Sequence, residues 1–410
     1  MNVLLVTEPG ENGVFRYVEG LAHYLVGRGV QVHLAYSDRR SGEQLPRLVE
    51  FVRRQGGATL NLATGNGPAW SDLRAFLALH RLARRVRPDV IHSHSSKAGV
   101  LARGLRLVRL PARQIYHPHA YSGQRPQGRV GRWLCNAVER VLGRWGTTVN
   151  TSPDENEFAR ECLHLPPGRA RCVPNGVDTV RFRPAGPSEK IRLRRRLGLP
   201  VEALILGTLG RTCRQKDPLT LYRAFAQAAA RRPGLVLAHV GCGELDGQLD
   251  RFVAEQELGG AVVRFPFLAQ PEEFYRAIDG FILTSVYEGL SLAALEALAC
   301  DLPLILSEAP GNRMLIALPL SHRHSAPVGD VGGFADAIGR WAALAADAWR
   351  ASNHRRIALE QFDCRRSFQQ VLELYGAPAL PAEPPAGPAR RGGATSRRRK
   401  RRGVAVTRRP

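Results

Sequence analysis

Short apolar runs alternate along this chain with glycine-rich or polar turns, and then with stretches whose apolar positions recur every three or four residues. The first apolar run, Val3–Val6, predicts a buried strand, and Phe15–Gly27 behind it predicts a helix. Gln31–Ala35 and Asp89–His92 read as further strands, with a helix over Asp72–Val86 whose expected buried stripe is Leu73, Phe76, Leu77 and Leu82. Strands follow at Gln114–His117 and Thr147–Thr151, then an irregular stretch, Val173–Ser188. The alternation restarts after Pro184, with strands at Ala203–Leu209, Leu235–Val240, Ala261–Phe265, Gly280–Thr284 and Leu302–Leu306. Helices are expected at Pro218–Arg231, Ser291–Ala299, Asp336–Ala346 and Arg365–Tyr375. Alternating β and α elements give parallel sheets covered by helices, and two such series suggest two α/β domains.

Composition fits that reading. A chain of 410 residues, 44% hydrophobic, exceeds what one core serves, since single cores stop growing near ~250–300 residues. The start, MNVLLVTEPG, lacks a basic region and a cleavage site and reads as a strand, not a leader. No apolar run approaches the ~20 residues that span a bilayer. Seven scattered cysteines without a CxxC pair argue against a disulfide framework and point to a cytoplasmic setting. The net charge is +23; residues 384–410 carry ten Arg/Lys and no acid, leaving +13 on the rest. That balance favours anionic partners, and beyond Gly376 the Pro/Gly/Arg-rich sequence is expected to be disordered.

Two stretches carry candidate chemistry. In Val286–Glu296 two glutamates stand eight apart, Glu288 in a strand-to-helix turn and Glu296 within an apolar helix. A carboxylate in such surroundings needs a partner. One reading makes these a helix-terminal and a salt-bridged glutamate; the other has them accept hydroxyls, with the amides of Leu290 and Ser291 beside Gly289 facing a phosphate. The second stretch, Gly207–Pro218, follows a strand and opens a helix, and its Arg211 and Lys216 suit a diphosphate or are simply solvated. Strand-end placement favours the ligand. His92 and His94 also end a strand, but no carboxylate or cysteine is spaced to complete a metal site with them.

Over residues 1–376 the chain resembles the family 4 glycosyltransferases, retaining enzymes of GT-B fold that build bacterial polysaccharides and glycolipids. The resemblance rests on Gly10-Glu11-Asn12-Gly13-Val14, Pro174-Asn175-Gly176-Val177-Asp178, Gly210-Arg211 with Lys216, and the Glu288/Glu296 pair. It implies two Rossmann-like domains with parallel sheets across a cleft: an acceptor domain over 1–180 and a donor domain over 181–360. A C-terminal helix over 361–377 would pack back, ahead of a disordered basic tail over 378–410. It also implies that Arg211 and Lys216 bind the donor diphosphate, Glu296 the ribose and Glu288 the transferred hexose. Gly13 would sit in a loop approaching the phosphates, and His119, with His117 as competitor, would lie over the sugar. The donor would be UDP- or GDP-linked, the acceptor a saccharide or lipid-linked, with no metal and no cofactor beyond the nucleotide sugar.

Three positions depart from the family pattern: Asn12 in the first loop, Asp301 where glycine is usual, and Met314 where glutamate often stands. Front-side displacement is the expected chemistry, the leaving phosphate helping to deprotonate the acceptor. A sugar-nucleotide epimerase shares the architecture, and the run Arg397–Arg402 allows a polyanion-binding reading, although no motif for specific nucleic acid is present. A dehydrogenase is disfavoured because no complete GxGxxG follows the first strand. Finally, Arg129–Trp145 forms an amphipathic helix, with Val130, Leu134, Ala137, Val141 and Trp145 on one face and Arg129, Arg132 and Arg140 on another. It either packs into the first core or lies on an anionic membrane, which would make the enzyme peripheral at the inner face of the plasma membrane.

Overall fold

The computed structural model describes residues 1–376 apart from 9–11, 40–41, 43, 66, 68, 126–127 and 345–351. Gly10, Glu11 and the basic segment from 378 onward therefore lie outside the described residues. Seven strands form the first sheet: β1 (Asn2–Thr7), β2 (Gln31–Tyr36), β3 (Thr59–Asn61), β4 (Val90–His94), β5 (Arg113–His117), β6 (Thr147–Asn150) and β7 (Ala170–Cys172). Their order is β3-β2-β1-β4-β5-β6-β7 and every pairing is parallel. Six more form the second: β8 (Leu204–Leu209), β9 (Leu235–Val240), β10 (Val262–Phe265), β11 (Gly280–Leu283), β12 (Leu304–Ser307) and β13 (Arg323–Ala326). These run β10-β9-β8-β11-β12-β13, again all parallel. Strand order reverses between β1 and β4 and between β8 and β11, and such reversals open a crevice at the carboxyl ends of the strands.

Both faces of each sheet are covered, which is why the strands read as continuous apolar runs. Val3 and Leu5 enter one core while Leu4 and Val6 enter another, and Ile205 and Leu206 split likewise in the second sheet. The chain end ties the halves together. Helix His354–Gln361 gives Ile357 and Ala358 to the second core, and helix Cys364–Leu374 gives Phe368, Val371 and Leu372 to the first. The crossing is pinned where Val177 bridges Asp363; a Cβ on Gly176 would meet the Cys364 Cα at 2.4 Å, so only glycine fits. The Pro174–Asp178 motif thus seats the returning segment.

Several expectations shift. Helix Ser71–Val86 buries Ala75, Leu79, Leu82 and Ala83 with Phe76 packed beside them, whereas Leu73 and Leu77 of the expected stripe are exposed, because the buried face is turned onto the line of Ala75 and Leu79. Gly13 lies in the first turn of helix Asn12–Gly27, not in a loop. A Cβ there would meet Leu292 at an ordinary 3.5 Å, so nothing in this packing demands glycine. Helix Arg129–Leu142 buries only Glu139 and Leu142, leaving Val130 at 73% and Trp133 at 67% exposure. Its apolar face is not packed in the core. Asp301 takes the left-handed φ of +63°, which Asp tolerates, and its carboxylate accepts from Ser352 Oγ (2.8 Å) and the Arg355 amide (2.9 Å). Met314 packs against the second core.

Candidate active site

Helix Pro218–Arg231 has a strong start signal: Asp217 caps the Thr220 amide at 3.3 Å and Pro218 follows. The loop before it is therefore fixed at the carboxyl end of β8, and Lys216 comes directly ahead of the cap. That loop is stitched to the one after β11. Val286 N–H donates to Gln215 O (2.8 Å), and Thr284 Oγ1 donates to Lys216 O (3.1 Å) and Asp217 O (2.9 Å). The result brings Lys216 Nζ to 2.6 Å from Glu288 Oε1, which also accepts from Ser285 Oγ at 2.6 Å. Arg211 and Lys216 line one recess with Thr208, His239 and Thr284. The Arg211 guanidinium is exposed, with no hydrogen bond or ion pair among the described residues.

Glu296 lies on helix Leu292–Ala299, in which every residue from Ala293 to Ala299 is buried. Its partner comes from the first half of the chain: Arg16 Nη1 stands 2.6 Å from Glu296 Oε1, leaving Oε2 without a hydrogen bond. Both glutamates are therefore salt-bridged, and Glu296 Oε2, with the Tyr275 hydroxyl acting on the same carboxylate, is what remains for a ligand hydroxyl. Burial pushes the Glu296 carboxyl up, with Arg16 opposing it. Replacing Arg16 by Met should strand that charge and destabilise the fold by about 3 kcal/mol at pH 7. A carboxyl whose folded pKa exceeds its unfolded value costs stability as pH rises between the two, so the penalty should shrink toward pH 5. Urea denaturation of both proteins at the two pH values checks this.

Across from these loops stand the imidazoles. Parallel register pairs His94 of β4 with His117 of β5, and His92 shares the face of His94 two residues earlier. Nitrogens of His92, His94 and His117 fall within 4.8 Å of one another, the one such group of metal-ligand type among the described residues. The third member comes from a neighbouring strand, which linear spacing could not show, and the trio consists of imidazoles only. His94 Nδ1 lies 3.1 Å from His119 Nε2, and His92 Nδ1 lies 2.6 Å from Tyr375 Oη on the returning helix end. Burial, reinforced by the neighbouring rings, holds His92, His94 and His117 well below the usual imidazole range, and burial takes His119 to about 3. All four are neutral at pH 7. Below about pH 6.5 the unfolded chain binds more protons than the fold, so stability should fall as pH falls, with a slope approaching about 4 kcal/mol per unit for the three buried rings only once the unfolded rings are fully protonated. A thermal midpoint unchanged between pH 7 and 5.5 would contradict this.

His119 and Ala120 both adopt positive φ, +53° and +93°, a strained turn for residues with a side chain. Glu155 holds it. Its Oε1 accepts from the Ala120 amide at 2.6 Å, and Oε2 accepts from Thr151 N and Oγ1, each at 2.7 Å. Sequence reading passed over Glu155; the signal was Ser152-Pro153-Asp154-Glu155, a helix start in which Ser152 Oγ caps the Glu155 amide (3.2 Å). The second half reaches this turn through Gly289, where a Cβ would stand 2.7 Å from Thr151 Oγ1 and 3.2 Å from Ala120 N. Asn175 Nδ2 holds Leu290 O at 2.9 Å, while the Leu290 and Ser291 amides donate to no acceptor among the described residues. Asp154 accepts from the Gly311 amide at 2.8 Å. Residues 119–120, 288–291 and 311 thus meet at one seam, with Arg211 and Lys216 on the second-half side.

Cations on one half and neutral ring donors on the other suit a molecule with an anionic end and an uncharged polar end, as a nucleotide sugar has. Fold and site together define a two-sheet glycosyltransferase. Residues 11–181 match the profile of Glycosyltransferase Family 4, and residues 189–351 that of Glycosyl transferases group 1. The chain belongs to glycosyltransferase family 4. It is 39% identical over 345 residues to a D-inositol 3-phosphate glycosyltransferase of Corynebacterium jeikeium, covering 76% of this chain and 80% of that one. It is 28% identical over 254 residues to the Escherichia coli UDP-Gal:alpha-D-GlcNAc-diphosphoundecaprenol alpha-1,3-galactosyltransferase, covering 60% of this chain and 64% of that relative. In fold it is like Anabaena HepE solved with UDP-glucose, at a TM-score of 0.75 and 20% identity over 92% of this chain and 99% of that one.

Proposed function

We propose that this protein transfers a hexose, with retention, from a UDP-linked donor to a lipid-linked acceptor at an anionic membrane surface, in bacterial polysaccharide or glycolipid assembly. The observation that carries the donor half is the Lys216–Glu288 pair at the carboxyl ends of β8 and β11. A cation already bonded to a carboxylate presents both a phosphate ligand and a sugar-hydroxyl acceptor at one point. Arg211 adds a guanidinium to the ammonium of Lys216 on the diphosphate, Glu296 Oε2 takes a ribose hydroxyl, and the free amides of Leu290 and Ser291 face phosphate oxygens. As the bond from the anomeric carbon to the phosphate oxygen breaks, negative charge grows on the diphosphate, where these cations stabilise it. On the same face the acceptor oxygen bonds to the anomeric carbon and gives its proton to the leaving phosphate oxygen. His119, neutral and beside the seam, orients the sugar; it carries no charge at pH 7.

The acceptor half rests on helix Arg129–Leu142, whose exposed apolar side chains are flanked by Arg129, Arg132 and Arg140. Apolar burial plus ~1 kcal/mol per arginine near anionic lipid suits a peripheral enzyme. No helix among the described residues is long and apolar enough to cross a membrane. The test incubates the full chain with a panel of UDP- and GDP-sugars and either a polyprenyl-diphosphate saccharide in vesicles or the free saccharide. Product is expected only with a UDP-hexose and the lipid-linked acceptor. Co-sedimentation with vesicles should require phosphatidylglycerol and weaken with salt; Trp133→Ser with Leu134→Ser should reduce it at least ~10-fold. Equal turnover of the free saccharide, or binding indifferent to lipid charge, would overturn the lipid-linked reading.

A further inference from the structure

A cavity of about 650 Å³ opens at the opposite end of the first sheet from the site just described. Four arginines line it: Arg106 from the turn ahead of β5, Arg113 at the first position of β5, Arg144 from the turn ahead of β6, and Arg169 just before β7. All belong to the amino ends of the strands, whereas His117 and His119 lie at and beyond the carboxyl end of β5, ~13 Å or more along the same strand. The donor loops are therefore not involved. No acidic residue lines the cavity. Arg113 spends one donor on Leu374 O at 2.9 Å, and the guanidiniums of Arg106, Arg144 and Arg169 have no hydrogen bond or ion pair among the described residues.

Gln114 supplies the second observation. It is 3% exposed, lines the cavity, and neither its Nε2 nor its Oε1 has a hydrogen-bond partner among the described residues. A buried amide left unpaired is costly, and most such groups in folded proteins have a partner. Its neighbour Gly146 can only be glycine, since a Cβ there would stand 2.5 Å from Gln114 O. Four exposed arginines with no acidic residue among them thus share the wall of one cleft with a buried amide, the chemistry that suits an anion. We infer that this cleft binds a phosphate group, that of a lipid headgroup or of a soluble diphosphate, with the arginines as ligands and Gln114 Nε2 as an inner donor. Exposed Leu107 and Val108 follow Arg106, and exposed Val141 precedes Arg144 by three residues, so a headgroup there would have apolar surface beside it for its chains.

Equilibrium dialysis of the full chain against pyrophosphate, with vesicle co-sedimentation alongside, tests this. Wild type should bind two equivalents, one lost in Arg211→Ala with Lys216→Ala and the other in Arg144→Gln with Arg169→Gln. The cleft pair should weaken its equivalent ~100-fold, and Gln114→Leu, which removes no charge, by ~5-fold. Nucleoside-diphosphate affinity at the donor loops should stay at the wild-type value in both cleft variants, which separates this inference from the donor assignment. If the natural ligand is a headgroup, Gln114→Leu also weakens binding to phosphatidylglycerol vesicles; if it is a soluble diphosphate, vesicle binding is unchanged while the pyrophosphate equivalent is still weakened ~5-fold. Retention of both equivalents by the cleft pair overturns the site. So does an effect of the arginine pair that Arg81→Gln with Arg84→Gln, two exposed arginines on helix Ser71–Val86, reproduces and Gln114→Leu does not, since that would be net charge alone.

Discussion

Lys216→Ala should lower kcat/KM by about 10²–10³-fold and weaken nucleoside-diphosphate binding ~10–100-fold. Two losses combine in that variant. The ammonium that would meet the developing phosphate charge is gone, and Glu288, 2.6 Å away in the folded protein, is left with Ser285 as its remaining side-chain partner. Glu288→Gln separates the two, because it keeps the cation and removes the carboxylate. It should leave nucleoside-diphosphate affinity within a few-fold of wild type while cutting turnover of the whole donor. Arg211→Ala should fall between them, since an exposed guanidinium is already well solvated and holds no protein partner. Calorimetric titration of nucleoside diphosphate, set against steady-state kinetics with the whole donor, gives both readouts. Unchanged diphosphate affinity in both Arg211→Ala and Lys216→Ala would remove the grip from this loop.

His119→Ala should reduce transfer by about 10³-fold with little change in nucleotide affinity, and Glu155→Gln should reproduce part of that loss, about 10²-fold, without touching substrate. Glu155 acts as a positioning residue. Its two oxygens hold the Ala120 amide and Thr151, and so fix a turn whose backbone is strained at both His119 and Ala120. An amide in place of the carboxylate keeps one acceptor oxygen and so loosens the turn without emptying the space. Because burial keeps His119 neutral across the working range, the rate profile should show no limb from this ring near pH 6.5 in wild type or in Glu155→Gln. A general fold defect would instead lower the unfolding midpoint and nucleotide affinity together. Should His117 prove critical and His119 dispensable, the assignment would move to the buried ring on β5.

The sequence by itself determined the architecture and where the loops that follow β8 and β11 lie. Continuous apolar runs such as Val3–Val6 and Leu235–Val240 are what strands buried on both faces require, so period and run length were enough to mark them. Lys216 could be placed because Pro218 and Asp217 fix a helix start, and Glu288 because a glycine and a serine cap follow it. What escaped were the edge strands β3, β7 and β13, too brief for any periodicity to register, and several helices of about ten residues or fewer, among them Leu45–Arg54, Pro187–Arg196 and Asp246–Glu255. Of the stripe expected on Ser71–Val86, Leu82 is buried and Phe76 packs against the core, but Leu73 and Leu77 are exposed, since the buried face runs through Ala75 and Ala83, small residues that a reading weighted to large side chains passes over.

Only the tertiary structure decided which charges meet. Arg16 and Glu296 are far apart in the chain, and their pairing depends on how the two halves close, a matter no local pattern encodes. The same holds for the third imidazole of the histidine group, set by inter-strand register, and for Glu155, whose role lies in a turn 35 residues away. The exposure of helix Arg129–Leu142 is of this kind too. Its amphipathic pattern was legible, but a pattern has two solutions, core or surface, and only packing against the neighbouring elements chooses between them. Local propensity and periodicity are written in consecutive residues; partnership between distant polar groups is a property of the closed chain.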